Sequence, residues 1–300
     1  MRGLWSQAIV SRHEESQGQC RRRNEGFSLA NGEFILQLDD DCCFTQPEDL
    51  KNAVEFLIER PRAGAVIFDL FNGPHLPELL PRSTAKTGCV RSFVGAAILF
   101  RAAAVRHTRG YPPFYQAQGE EDELALQLLG KGWQILYDPR ILAHHRLSTL
   151  NRNSLGTWQR GFGNEIWTLL LHMPLRRLPM EIGWKALVGF WDAVRLKRYL
   201  AFWQAIWRCS TGIGNVWKLR KPFSANALRR YDALRARGVL TEEEFMNPPT
   251  VGWADLRRWW TRWRNRARDA SIWEPPGGKG SSVIARFAHE FTGKEPRGSD

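Results

Sequence analysis

Hydrophobic positions in the first 150 residues fall into short runs separated by stretches of helical spacing. Phe34-Ile35-Leu36-Gln37-Leu38 is a run of strand length that follows the turn signal Asn31-Gly32 and ends in Asp39, Asp40 and Asp41. Between Pro47 and Arg60, Leu50, Val54, Leu57 and Ile58 recur at helical intervals, and Ala65 to Leu70 then reads as a second strand. A Pro/Gly-rich loop from Asn72 to Pro81 leads to the apolar run Phe93 to Phe100, which contains Gly95. Glu120 to Leu129 predicts a helix with Leu124, Leu128 and Leu129 on one face, and Trp133 to Tyr137 predicts a last strand closed by Asp138-Pro139. Such alternation predicts an α/β fold with a largely parallel sheet covered by helices.

Beyond about residue 150 the pattern predicts helices alone. Trp184, Leu187, Val188, Trp191, Val194, Tyr199, Phe202, Trp203 and Ile206 follow helical spacing, with Arg195, Lys197 and Arg198 on a polar side. Ser224 to Arg237 reads as a basic helix stopped by Gly238, and Trp253 to Arg268 as one more helix between Pro/Gly-rich flanks. The expected organisation is therefore an α/β domain over 1–148, a basic Trp-rich helical region over 149–240, and an extension over 241–300 whose end is poorly ordered.

Charge sharpens that division. The net charge is +12, and residues 151–240 hold 16 Lys/Arg against 4 Asp/Glu while the segments on either side are nearly balanced. A block of this sign calls for an anionic partner or a solvated face. Of the 14 tryptophans, 12 lie beyond position 150, interleaved with the basic residues, which suits a lipid headgroup layer. The same residues equally suit a small helical core with solvated arginines. No run is apolar and long enough to span a bilayer, and the basic block carries no helix-turn-helix, zinc or aromatic-platform signature of a nucleic-acid binder. Five cysteines without metal or redox spacing, and no apolar leader, point to a reducing cytoplasm.

Two acidic constellations carry the chemistry. Asp39-Asp40-Asp41 closes a strand, where three adjacent carboxylates repel one another unless a cation lies among them, and a hard divalent ion with substrate phosphates would serve. A solvated acidic loop is the plainer alternative. Glu120-Glu121-Asp122-Glu123 opens a helix, which favours acids electrostatically, and one of them facing a cleft could act as a general base. His144-His145 follows the last strand of this region.

The ordered set of motifs resembles the family 2 glycosyltransferases. Arg23-Asn24-Glu25-Gly26, Ala30-Asn31-Gly32-Glu33 and Ile35 to Asp41 look like the segment leading into that family's Asp-x-Asp motif. Phe93 to Arg101, Gly110-Tyr111-Pro112, Glu120 to Leu126, Gly132-Trp133 and Tyr137-Asp138-Pro139 follow in the family's order. The resemblance covers roughly residues 16–146 and implies a GT-A fold. It implies Mg²⁺ or Mn²⁺ held by Asp41, Asp39 and His145, with His144 as the alternate. It also places Asp39, Asp40, Arg23, Asn24 and Gly95 in segments that line the nucleotide.

The family's Glu-Asp motif implies catalysis by Glu121 as base, flanked by Glu120 and Asp122. The expected activity is single-sugar transfer, with inversion, from a nucleotide-diphosphate sugar to a saccharide or lipid-linked acceptor. The helical third resembles the tail of bacterial, rhamnosyltransferase-like members, which implies a cytoplasmic protein on the inner face of the cytoplasmic membrane. The family's first strands, with their Pro-Thr-x-Asn-type and Asp-Gly-Ser-type loops, have no counterpart in Met1 to His13, so roughly sixty residues are expected to be missing from the nucleotide-binding region. An inactive scaffold or membrane-associated binding protein is the alternative reading.

Overall fold

A computed structural model describes residues 8–76, 86–115, 117–146, 154–255, 257 and 261. In chain order the elements are α1 (Gln19–Leu29), β1 (Phe34–Leu38), β2 (Cys42–Phe44), α2 (Asp49–Ile58), β3 (Ala63–Asn72), β4 (Gly88–Val90), β5 (Ala97–Arg101), α3 (Ala102–Arg106), α4 (Glu120–Gly130) and β6 (Gln134–His145). They continue with α5 (Ser154–His172), α6 (Leu178–Arg195), α7 (Tyr199–Lys218), α8 (Ala225–Arg237), β7 (Val239–Leu240) and α9 (Glu242–Met246). The predicted helices at 47–60, 120–129 and 224–237 are present, as are the strands at 34–38 and 65–70. The helix expected from Trp253 to Arg268 and the final residues lie largely outside the described residues, as does Met1 to Gln7; residues 8–13 form no strand.

The seven strands form one sheet in the order β1-β5-β3-β6-β4-β7, with β2 paired to β6. The expectation of a largely parallel sheet is corrected, because among the described residues only β3 and β6 pair in parallel and every other neighbour is antiparallel. The helical connections do return β1, β3 and β6 in a common direction, as strand–helix alternation requires. The reversed strand β5 is inserted between β1 and β3, and β2 and β4 share the free edge of β6, so parallel neighbours are separated. Element type follows from local pattern, whereas neighbour choice follows from tertiary packing.

Two further expectations are corrected. Strand β6 does not stop at Asp138-Pro139 but runs to His145, with a bulge where Phe68 pairs Asp138 and Asp69 pairs Leu142. Proline lacks the ladder N–H and is accommodated in such a bulge, and the Asp138 carboxylate accepts from Arg140 N (3.0 Å) and Arg140 Nη2 (2.7 Å). The region beyond 150 is not helical alone, because β7 adds to β4 through Cys89↔Leu240 and Val90↔Val239. Two residues are too few to show a period.

Phe68, Ile98, Leu99, Phe100, Leu124 and Leu128 are among the fully buried side chains of the sheet core. Helices α5, α6 and α7 pack on one another as a separate layer. The layer closes at glycines: a Cβ on Gly189 would lie 2.1 Å from the Phe162 ring, itself stacked on Trp158 and tilted against Phe202. Tryptophans divide between the two readings, since Trp158 and Trp167 are buried whereas Trp191, Trp203, Trp207 and Trp217 are exposed.

Because Phe162 has ring neighbours on two sides, Gly189→Val forces the helices apart. Urea unfolding should show a loss of about 1–3 kcal/mol; an unchanged midpoint would mean the layer does not depend on this close approach.

Candidate active site

Three carboxylates from distant segments meet at one guanidinium. Arg23, on α1, places Nη2 3.0 Å from Asp39 Oδ1 and Nη1 3.4 Å from Glu121 Oε1 and 3.7 Å from Glu120 Oε1. It lies 5.5 Å over the Tyr111 ring and donates to Gly95 O at 3.4 Å. The absence of a side chain at Gly95 makes this possible, because a Cβ there would sit 2.6 Å from Glu121 Oε1 and 2.8 Å from Arg23 Nη1. The two acidic motifs, some eighty positions apart in the chain, therefore share one place.

Glu120 and Glu121 begin α4 after Gly119, whose φ of 84° is a left-handed conformation suited to glycine. Burial, and then the neighbouring Glu120 charge, push the Glu121 carboxyl up to about 7, against which Arg23 pulls down. Glu120 is also raised by burial, and its Oε2 has no hydrogen-bond partner among the described residues. A carboxylate that titrates near neutrality and keeps 21% of its side chain exposed can exchange a proton with a bound hydroxyl.

On the other side of the β1 terminus, Asp41 meets His145. The pairing Cys42↔His145 and the bond from Arg146 N to Asp41 O (2.8 Å) bring His145 Nε2 to 3.3 Å from Asp41 Oδ2. His145 Nδ1 lies 2.9 Å from Asn72 Oδ1, so with Nδ1 donating there Nε2 keeps its lone pair toward Asp41. An outer partner that fixes the imidazole in this way is typical of metal-binding histidines. Asp41, Cys42 and His145 offer ligand atoms within 4.8 Å of one another. Burial, followed by the charges of Asp41 and Asp39, pushes the Cys42 thiol up to about 12; because sulfur is a soft donor, Asp41 and His145 are the ones better suited to a hard divalent ion.

Other expected residues fall elsewhere. His144, one strand position from His145, turns to the opposite face and bonds Gly73 O at 2.7 Å, and it is His145 that stands beside Asp41. Asn24 is occupied by the backbone of Tyr111, donating to its O and accepting from its N, both at 2.7 Å, and serves as a clamp on that turn. Asp40 is exposed at the turn between β1 and β2. Asp122 acts electrostatically on Arg91 and Lys185 and is absent from the ion pairs of Arg23. The reading from sequence missed Gln37, whose Nε2 donates to Gly95 O and whose Oε1 accepts from the Tyr111 hydroxyl at 2.8 Å. A lone amide inside the apolar run Phe34–Leu38 was the available signal. Asn72 was missed too, as the last residue of a strand that looked like the start of a loop.

The fourth acid of the cluster fastens the site to the helical layer. Glu123 Oε1 is wholly buried and takes Arg109 Nη2 at 2.8 Å and His172 Nε2 at 3.1 Å, and Arg109 also donates to Leu219 O. Asn164 Nδ2 donates to Ala117 O (3.0 Å) and Gln118 O (2.7 Å), pinning the approach to Gly119.

The sequence model of Glycosyl transferase family 2 matches residues 2–82. A comparison with curated proteins returned no match. Among solved structures, the chain is similar to S. aureus TarS 1-349 in complex with UDP-GlcNAc, at 15% identity over 86% of this chain and 75% of that one, with a TM-score of 0.45. It is similar to GalNAc-T7 with UDP, GalNAc and Mn²⁺ at 16% identity, over 54% of this chain and 37% of that one (TM-score 0.44). The mannosyltransferase PcManGT from Pyrobaculum calidifontis, in complex with GDP-Man and Mn²⁺, shares 15% identity over 67% and 56% of the respective chains (TM-score 0.41). Against the last two the chain spans well under two thirds of the other's length.

The raised Glu121 pKa has a thermodynamic consequence. Between the ordinary value of 4.5 and about 7 the folded state holds a proton that the unfolded state has released, so this group lowers stability as pH rises through that window. Glu121→Gln should therefore be more stable than the parent above pH 7, by about 1–3 kcal/mol, and lose that advantage near pH 4.5. Urea unfolding across pH tests this, and a variant less stable at pH 8 would show that the carboxylate is not strained by burial.

Proposed function

We propose that this chain, whose residues 2–82 are matched by glycosyl transferase family 2, transfers a single sugar from a nucleotide-diphosphate sugar to an acceptor hydroxyl with inversion. The observation that carries the reading is the meeting of Asp39, Glu120 and Glu121 at Arg23 beside the Asp41–His145 pair. The acceptor is a saccharide or a lipid-linked saccharide, reached on the inner face of the cytoplasmic membrane.

Glu121 takes the proton of the acceptor hydroxyl as its oxygen forms the new bond to the anomeric carbon, on the face opposite the departing diphosphate. The near-neutral titration of Glu121 matches that task. Arg23 holds Glu121 and Asp39 in fixed relation, so donor and base are oriented by one guanidinium. Gly95 keeps the space between them open. Asp41 and His145 would hold Mg²⁺ or Mn²⁺, which when bound supplies charge neutralisation to the leaving diphosphate. Asn72 keeps the imidazole turned toward Asp41.

The test is transfer from a panel of nucleotide-diphosphate sugars with Mn²⁺, alongside donor calorimetry. Activity should rise with pH through about 7 as Glu121 ionises, and Glu121→Gln should lower kcat on the order of 10²–10⁴-fold while donor binding persists. If that variant keeps the parent's kcat and pH profile, another group is the base. Asp41→Ala and His145→Ala should each weaken Mn²⁺-dependent donor binding by roughly 10–100-fold or more, and the double variant should abolish it. Donor binding that is indifferent to Mn²⁺ and to both substitutions would remove the metal assignment. A chain that binds no donor with Mn²⁺ would be the inactive scaffold.

A further inference from the structure

We infer that the outer face of the α6–α7 hairpin is a docking surface for an anionic lipid bilayer. This supplies the membrane partner of the proposed transferase, but it stands on the geometry of the hairpin and not on the sugar chemistry. Helix α7 buries Phe202, Ala205, Cys209 and Val216 against its neighbours and turns Leu200, Trp203, Trp207 and Trp217 outward at helical spacing. Trp203 and Trp207 are 61% and 73% exposed. Helix α6 buries Gly189 and Ala193 and exposes Leu187, Phe190 and Trp191, and Tyr199 stands exposed at the turn between the helices. Side chains of this size, this exposed, leave on the order of 500 Å² of apolar surface in water, the size of patch that on soluble proteins often marks an interaction site.

Charge identifies the partner. From Leu175 to Lys221 the sequence has ten Lys/Arg and two acids. Of those acids, Glu181 is buried and paired with Arg177 and Arg235 at 2.8 and 2.7 Å, and Asp192 is half-buried. The hairpin therefore presents no exposed carboxylate, while exposed Arg195 and Lys197 stand at its tip and Lys218 and Lys221 at the far end of α7. Lys197 turns the chain there in a left-handed conformation, φ 54°. A second copy docking by this face would bring like charges together. An anionic headgroup layer meets the cations at both ends while the indoles enter the interface between headgroup and acyl chain. No helix among the described residues is long and apolar enough to cross a membrane, so the contact is a helix pair lying on the surface.

The experiment is flotation of the full chain with vesicles of phosphatidylcholine alone or with roughly one third phosphatidylglycerol. The chain should float with the anionic vesicles and not with the neutral ones. Lys197→Gln/Lys218→Gln should weaken binding by about 30-fold, and Trp203→Ser/Trp207→Ser by roughly tenfold or more. All four residues are exposed and none takes part in the ion pairs of Arg23 or in the Asp41–His145 pair, so donor calorimetry should be unchanged in both variants. Failure to float, equal flotation with neutral vesicles, or undiminished flotation of the tryptophan variant would overturn the inference. So would sedimentation showing an oligomer that the tryptophan variant converts to monomer, which would make the face a contact between copies. If flotation behaves as stated but no donor binds, the docking surface stands and the transferase reading falls.

Discussion

A single cation shared by three carboxylates from two distant parts of the chain holds the acidic site together. At an effective dielectric of about 20, like charges some 4 Å apart repel by about 4 kcal/mol, comparable with the attraction of each to a cation at the same distance. Three carboxylates around one guanidinium leave a net negative charge, so each carboxylate still feels the others. Burial first, and then the Glu120 charge, push Glu121 up to about 7, and partial protonation of the pair relieves both. The same imbalance makes the site receptive to a further cation or to a hydroxyl proton. Arg23 is placed by α1, which is held on the sheet by Phe27 against Phe100 and Tyr111, both at 5.5 Å. Tyr111 in turn fixes Gln37, Asn24 and the cation itself.

The metal-competent pair depends on a different feature, the continuation of β6 past its proline. Had the strand ended at Asp138-Pro139, His145 would not pair opposite Cys42 and would not face Asp41. The bulge absorbs the missing N–H, and Asp138 holds it through Arg140. A local irregularity in the ladder thus decides which of two adjacent histidines reaches the site and which is turned to Gly73.

The helical layer is tied to this chemistry and is more than an appendage. Glu123 belongs to the same helical turn as Glu121 but is buried, where an unpaired carboxylate would be costly; Arg109 and His172 satisfy it and connect α4 to α5 and the end of α7. Asn164 performs the same service for the loop before Gly119. The outward face of the same layer carries the exposed indoles, so one structural unit both steadies the helix that opens with Glu120 and Glu121 and bears the apolar surface.

The amino-acid sequence by itself determined the identity and approximate extent of most elements, because periods of 2 and 3.6 are local properties of each segment. It also marked the two acidic motifs and, through their order, the family they resemble. It could not decide that β5 would lie between β1 and β3, that two residues after Gly238 would complete the sheet edge, or that β6 would pass through a proline. Those outcomes depend on which distant backbone groups find partners. The positioning roles of Gln37, Asn72 and Tyr111 were likewise not legible, since a positioning hydrogen bond leaves no periodic trace, although Tyr111 stood in the Gly110-Tyr111-Pro112 motif and Gln37 was a lone amide in an apolar run. Only the tertiary structure decided that Asp39 and Glu121 share a cation, that His145 and not His144 faces Asp41, and which tryptophans are core and which are surface. Charge proximity and solvent exposure are properties of space and not of chain order.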